Sequence, residues 1–376
     1  MVARARRRPK GPPPAASLFY LYRYIIAIHV RIVPPIFVVV LAAGSVACPV
    51  SRASPVHDVQ NIRDEAVTFR DGDVTLSATL FLPDDGQRHP AVVLFHGSGP
   101  EPRNSKMGAW FARNGVAALT YDKRGVGEST GDFRAVSFTD LVSDGLAGVA
   151  WLESRADINP KQVGVWGLSQ GGWLGPLAAS KSHDIAFVIA VSGPGVSPAE
   201  QMVFYYANEL RARGMSDQDV AAASETRRRV WHYLSTGTGV DDARAALDRA
   251  RTAPWFSALD DQSGGLFGRP TNELLNDPAV RARVWFRLEA DYDPTVALRA
   301  LSVPALFIFG DQDQLVPVAR SVEIIRDTLT SAGHTAFEIV VFPGADHVIR
   351  ISSDGGALAP HYLETMATWL RKTLGG

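Results

Sequence analysis

Short blocks of apolar residues, each four to nine residues long, alternate along most of this chain with stretches in which apolar residues recur every three or four positions. The first spacing predicts strands and the second predicts amphipathic helices. Residues 66–69 and 74–82 form two strand-like blocks around Arg70, Asp71, Gly72 and Asp73. An Asp-Gly pair between two such runs predicts a β-hairpin. Residues 91–95, A-V-V-L-F, are apolar throughout, which suits a strand covered on both faces of a parallel sheet. Further strand-like blocks lie at 116–121, 163–166, 185–191, 305–309 and 338–342, and helical spacing at 107–114, 138–152 and 362–374. Alternation of this kind predicts an α/β fold with a doubly wound, mostly parallel sheet.

The alternation stops at about residues 198–294, where the chain is helix-like, rich in Ala and Arg, and broken at Gly214, Gly237, Gly239, Gly264 and Gly265. An insertion here is expected to form a helical cap over the C-terminal edge of the sheet. It carries Tyr205, Tyr206, Trp231, Tyr233, Trp255, Phe256, Phe267, Trp285 and Phe286. Most of these aromatics are expected to pack inside the cap, with two or three facing substrate.

The candidate chemistry centres on residues 163–172, V-G-V-W-G-L-S-Q-G-G. Gly167, Ser169 and Gly171 match G-x-S-x-G, in which a serine sits on a tight strand-to-helix turn. Glycines two before and two after the serine are expected because a Cβ there would strike the neighbouring strand or helix. A serine hydroxyl needs a base near neutral pH and a carboxylate to orient that base. Of nine histidines, His347 alone follows a late strand in a Gly-containing turn, so it is the expected base. His96 is expected to order the loop after residues 91–95. Asp311 and Asp313 compete for the acid on one loop, and the place before Val316 and Pro317 favours Asp313. The order Ser169, Asp313, His347 is then serine, acid, histidine. His96, Gly97, Ser98, Gly99 and Pro100 form a strand-end loop of the kind that supplies main-chain N–H donors to an oxyanion. The dense run from Asp122 to Ser129 is expected to be a structural turn.

Composition narrows the partners. The 376 residues carry a net charge of −1, yet the first 31 hold Arg4, Arg6, Arg7, Arg8, Lys10, Arg23 and Arg31 and no acidic residue. Setting these aside leaves 31 basic against 39 acidic residues, which gives no support to nucleic-acid binding. Cys48 is the single cysteine, so an intrachain disulfide is excluded and so is a cysteine-based zinc site. Residues 35–47 are apolar and end in small residues, with Ser45 and Ala47 at the −3 and −1 positions of a cut before Cys48. This layout predicts a secretory signal within a leader of residues 1–50, followed by a linker at 51–64 and the main domain at 65–376. Export to a periplasmic or extracellular location is expected, with membrane contact only through the leader or through lipidation of Cys48.

From about residue 65 to the C-terminus the chain resembles the α/β-hydrolase superfamily, and within it dienelactone-hydrolase-related esterases and serine aminopeptidase-like lysophospholipases. The residues carrying the likeness are 96–100, 121–129, 167–171, 310–317 and 344–347. True dienelactone hydrolases use a cysteine nucleophile where this chain has Ser169. The resemblance implies Ser169 as nucleophile, Asp313 as acid, His347 as base, and the main-chain N–H groups of Ser98 and Gln170 as the oxyanion hole. It further implies hydrolysis of small-molecule carboxylic esters, of short to medium acyl length, through an acyl-enzyme, with no cofactor and no metal. The alternative is a peptidase or amidase using the same triad. That reaction would need an acidic pocket for a substrate amine, for which the cap offers Glu209, Asp217, Asp219 and Glu273.

Overall fold

The computed structural model describes residues 61–282, 289–352 and 355–375. The leader with Cys48, residues 51–60 of the expected linker, and Trp285 and Phe286 lie outside the described residues. Chain order begins with strands β1 (Ile62–Asp71), β2 (Val74–Pro83) and β3 (His89–Phe95), helix α1 (Ser105–Arg113), strand β4 (Ala117–Tyr121) and helix α2 (Phe138–Glu153). Strand β5 (Ile158–Leu168), helix α3 (Gln170–Lys181) and strand β6 (Val188–Val191) follow. Next come helices α4 (Pro198–Ala212), α5 (Asp217–Thr236), α6 (Val240–Ala250), α7 (Phe256–Gln262), α8 (Thr271–Asn276), α9 (Pro278–Arg281) and α10 (Pro294–Arg299). The chain closes with β7 (Ala305–Gly310), α11 (Val318–Ser331), β8 (Phe337–Phe342), a small antiparallel pair β9 (Arg350–Ile351) and β10 (Ala357–Leu358), and α12 (Tyr362–Leu374).

The first eight strands form one sheet in the order β1-β2-β4-β3-β5-β6-β7-β8. β1, β2 and β4 pair antiparallel, and every pairing from β4 to β8 is parallel. The hairpin turn falls at Gly72 and Asp73, since Asp71 pairs with Val74. β1 starts at Ile62, inside the stretch expected to be linker. Its register reaches Ile62 opposite Pro83, and Arg63 is held to Asp157 at 3.1 Å, so its polar residues face outward from a paired strand.

The core has two layers, because the parallel strands are buried on both faces. Along β3, Val93 and Phe95 enter the cluster formed with Leu141 and Val149 of α2 and Leu174 of α3. Val92 and Leu94 enter the opposite cluster with Phe111 of α1 and Trp369 and Leu370 of α12. At about 25 cal/mol per Å² of buried apolar surface, such side chains each contribute roughly 1.5–3 kcal/mol. A third cluster belongs to the inserted helices alone and holds Leu210, Val230, Trp231, Tyr233, Trp255 and Phe267. These four aromatics are buried there. α10 instead packs on α3 and α11, so it belongs to the body. No helix among the described residues is long and apolar enough to cross a membrane.

Candidate active site

β5 delivers Ser169 to the C-terminal edge of the sheet. Ser169 has φ 57° and ψ −114°, at the N-cap of α3, and its hydroxyl makes no capping bond. Strain of this kind is held only where surrounding packing over-determines it, and the glycines provide that packing. A Cβ on Gly167 would lie 2.2 Å from Gly171 O, and one on Gly171 would lie 3.1 Å from Phe95 O and His96 O. A Cβ on Gly172 would lie 2.2 Å from Gly193 Cα. That neighbour is backbone and cannot swing aside. Gly172→Ala is therefore expected to lose about 1–3 kcal/mol of stability, read as a lower denaturant midpoint with an unchanged slope.

Asp313 and His347 meet at the ends of β7 and β8. His347 Nδ1 lies 2.7 Å from Asp313 Oδ2. The other Asp313 oxygen accepts from Leu315 N at 2.7 Å and Val316 N at 3.0 Å, so the buried carboxylate is fixed from both ends. Asp311 is exposed, and its Oδ1 accepts from Gly344 N at 2.7 Å, joining the two strand ends to each other. With Nδ1 directed to Asp313, Nε2 is the imidazole nitrogen that makes no hydrogen bond to a described residue. No hydrogen bond joins Ser169 to His347 among the described residues; such bonds commonly tighten only in the substrate complex.

The loop after β3 sits beside the elbow because β3 pairs with β5 as far as Phe95 opposite Gly167. Its Gly97 N–H is already used, donating to Glu101 Oε2 at 2.9 Å. Ser98 N–H makes no bond to a described residue. Gln170 N–H stands in the first turn of α3, where helix N–H groups have no intrahelical partner and the dipole favours negative charge. His96 is buried, and its Nε2 lies 2.6 Å from Tyr121 O. Burial, reinforced by Lys123, draws its pKa down to about 3, so the ring is neutral and Nε2 carries the proton donated to that carbonyl.

The run after β4, expected to be a structural turn, is a knot of ion pairs. Asp122 accepts from Arg103 Nη2 at 2.7 Å and Nε at 3.0 Å, and Arg124 Nη2 donates to Asp144 and Asp71, both at 2.7 Å. Lys123 departs from this pattern. It is buried, and its Nζ points across the sheet edge to Gly97, Gly99 and Gln170. Glu289, near the C-terminal end of the insertion, is also buried at 5% exposure; it accepts from Phe138 N. Burial pushes its pKa up to about 7. The four cap acids expected as amine ligands are not buried. Asp217 pairs with Arg211, Asp219 accepts from Ser216 Oγ, and Glu273 is exposed. The cap is tied to the acid loop by α4, where Gln201 Nε2 donates to Leu315 O at 2.5 Å and Asn208 Nδ2 to Gln314 O at 2.9 Å. Among the described residues no group of three His, Cys, Asp or Glu side chains is arranged to hold a metal.

A strained serine on a strand-to-helix turn of a mostly parallel sheet, with helices on both faces, defines an α/β-hydrolase. The chain belongs to the X-Pro dipeptidyl-peptidase (S15) family, which it matches over residues 71–344. It is 27% identical over 304 residues to the quorum-quenching protein AidA of Acinetobacter baumannii, covering 77% of this chain and 92% of that one. It is 23% identical over 309 residues to the esterase EstD of Thermotoga maritima, covering 79% of this chain and 64% of that protein. Among solved structures, the α/β-hydrolase GrgF from Penicillium has a TM-score of 0.51 at 20% identity, over 84% of this chain and all of that one. The protein is a serine hydrolase.

Proposed function

We propose that the protein hydrolyses carboxylic esters of short to medium acyl length, with Ser169 as nucleophile, His347 as base and Asp313 as the orienting acid. The observation that carries this reading is the Asp313–His347 pair at 2.7 Å, at the same sheet edge as Ser169. Asp313 keeps the proton on Nδ1, which leaves Nε2 to take the serine proton as Ser169 Oγ attacks the ester carbonyl. The tetrahedral oxyanion is held by the Ser98 and Gln170 N–H groups, each worth on the order of 3 kcal/mol of barrier. Collapse expels the alcohol, which takes its proton from His347. Water deprotonated by the same imidazole then releases the acid. EstD is named an esterase, which favours this substrate class.

The second reading is cleavage of a peptide or amide by the same groups. Two observations favour it: the family match and the buried Glu289 carboxylate, which interacts electrostatically with Lys123 beside the elbow and could receive a substrate amine. A series of p-nitrophenyl esters from acetate to palmitate, run beside aminoacyl-p-nitroanilides on protein lacking residues 1–47, separates the two. Ester turnover dominating, with a preference for the shorter acyl chains, is the expected result. Dominant anilide turnover would move the assignment to the peptidase. Export through the leader belongs to the same proposal, and cell fractionation tests it.

A further inference from the structure

Lys123 reaches the site from a third segment, the end of β4, and is 1% exposed. Its Nζ donates to Gly97 O at 2.7 Å, to Gly99 O at 3.2 Å and to Gln170 Oε1 at 2.9 Å. An ammonium has three N–H donors and no acceptor, so these oxygens use all of it. The Gly97 carbonyl and the Ser98 N–H belong to one planar peptide unit and point in opposite directions. A side chain that grips that carbonyl therefore aims that N–H. The third bond joins the same ammonium to Gln170, the first residue of α3.

We propose that Lys123 is a positioning residue for the oxyanion hole: it aims the Ser98 N–H through the Gly97 carbonyl and locks that peptide to the first turn of α3 through Gln170. This rests on the serine-hydrolase mechanism given above and on the two N–H groups assigned there. Lys123 touches no reacting atom. Its effect falls on the step in which negative charge develops, so it acts on kcat more than on KM.

Protonation matters to this device, because a neutral amine has two N–H donors and would present a lone pair to one of three oxygens. Burial draws the Lys123 pKa down to about 8, while Glu101, Glu289 and Asp144 act in the opposite direction. The remaining groups against it are the neutral His96 ring, the Phe133 ring 5.2 Å away, and Asp122, its chain neighbour, which is committed to Arg103. The clamp is complete below the Lys123 pKa and is lost as pH rises through it.

The test measures kcat and KM for the best p-nitrophenyl ester between roughly pH 6 and 10, in wild type, Lys123→Met and Gln170→Met. In Lys123→Met, kcat is expected to fall about 10- to 100-fold with KM within about twofold. The decline of wild-type kcat above about pH 8 should be absent from it. Gln170→Met keeps the ammonium and both loop bonds, so it should lose only about 3- to 10-fold and retain the decline. A folded Lys123→Met with wild-type kcat, or with the alkaline decline intact, overturns the inference. Where Lys123→Met does not fold, a flat wild-type alkaline profile together with unchanged kcat in Gln170→Met overturns it. Labelling of wild type by a fluorophosphonate keeps the two claims apart: labelling with a normal Lys123→Met defeats only the Lys123 role, whereas no labelling and no turnover defeats both.

Discussion

Ser169→Ala is expected to reduce ester turnover by roughly 10⁵- to 10⁶-fold while leaving the fold intact. The Ser169 hydroxyl makes no capping bond, so alanine removes no structural contact, and the φ of 57° is imposed on either residue alike. The residue of activity should come from binding and the oxyanion donors, which remain in place. Turnover assays with circular dichroism on the same sample check both halves. Wild-type turnover in a folded Ser169→Ala would falsify the nucleophile assignment.

Asp313→Asn is expected to lower kcat by about 10⁴-fold. The amide oxygen of the variant would still accept from Leu315 and Val316, which leaves the amide NH₂ facing His347 Nδ1. The imidazole would answer by moving its proton to Nε2, and a protonated Nε2 cannot take the serine proton. Asp311→Asn is the matched control. Its side chain holds Gly344 N rather than the imidazole, so a loss within about tenfold is expected. Equal losses in the two variants would mean that the loop, not the His347 contact, sets the rate.

The alternation of strands and helices was legible from the chain because each buried strand is a continuous apolar block, and the closing helix Tyr362–Leu374 has the bounds its spacing predicts. Boundaries at polar residues were not. β5 runs back through Asn159 and Pro160, well before the apolar block at 163–166 that marked it. They remain in the strand where its pairing with β3 shifts between His89 and Ala91. β9 and β10 have two residues each, too few for any period to show. The elbow was legible because steric exclusion writes itself as fixed glycines. Lys123 was not, because its partners are two main-chain carbonyls and a glutamine more than twenty residues away, and main-chain carbonyls leave no mark on a sequence. Glu289 was missed for a related reason: it is one of three acids in a short stretch with Asp291 and Asp293, and only its burial sets it apart.

The contact between Gly172 and Gly193 is backbone against backbone, with no side chain between them. Gly193 lies in the short link from β6 to α4, where the inserted helices leave the sheet. A joint without side chains has nothing to compress, so the root of the insertion moves with the turn that carries Ser169 or not at all. Any rocking of the insertion must pivot farther out, beyond the α4 bonds of Gln201 and Asn208 to the loop after β7. The helices beyond that point can therefore change without disturbing the turn that carries Ser169, provided both glycines are kept.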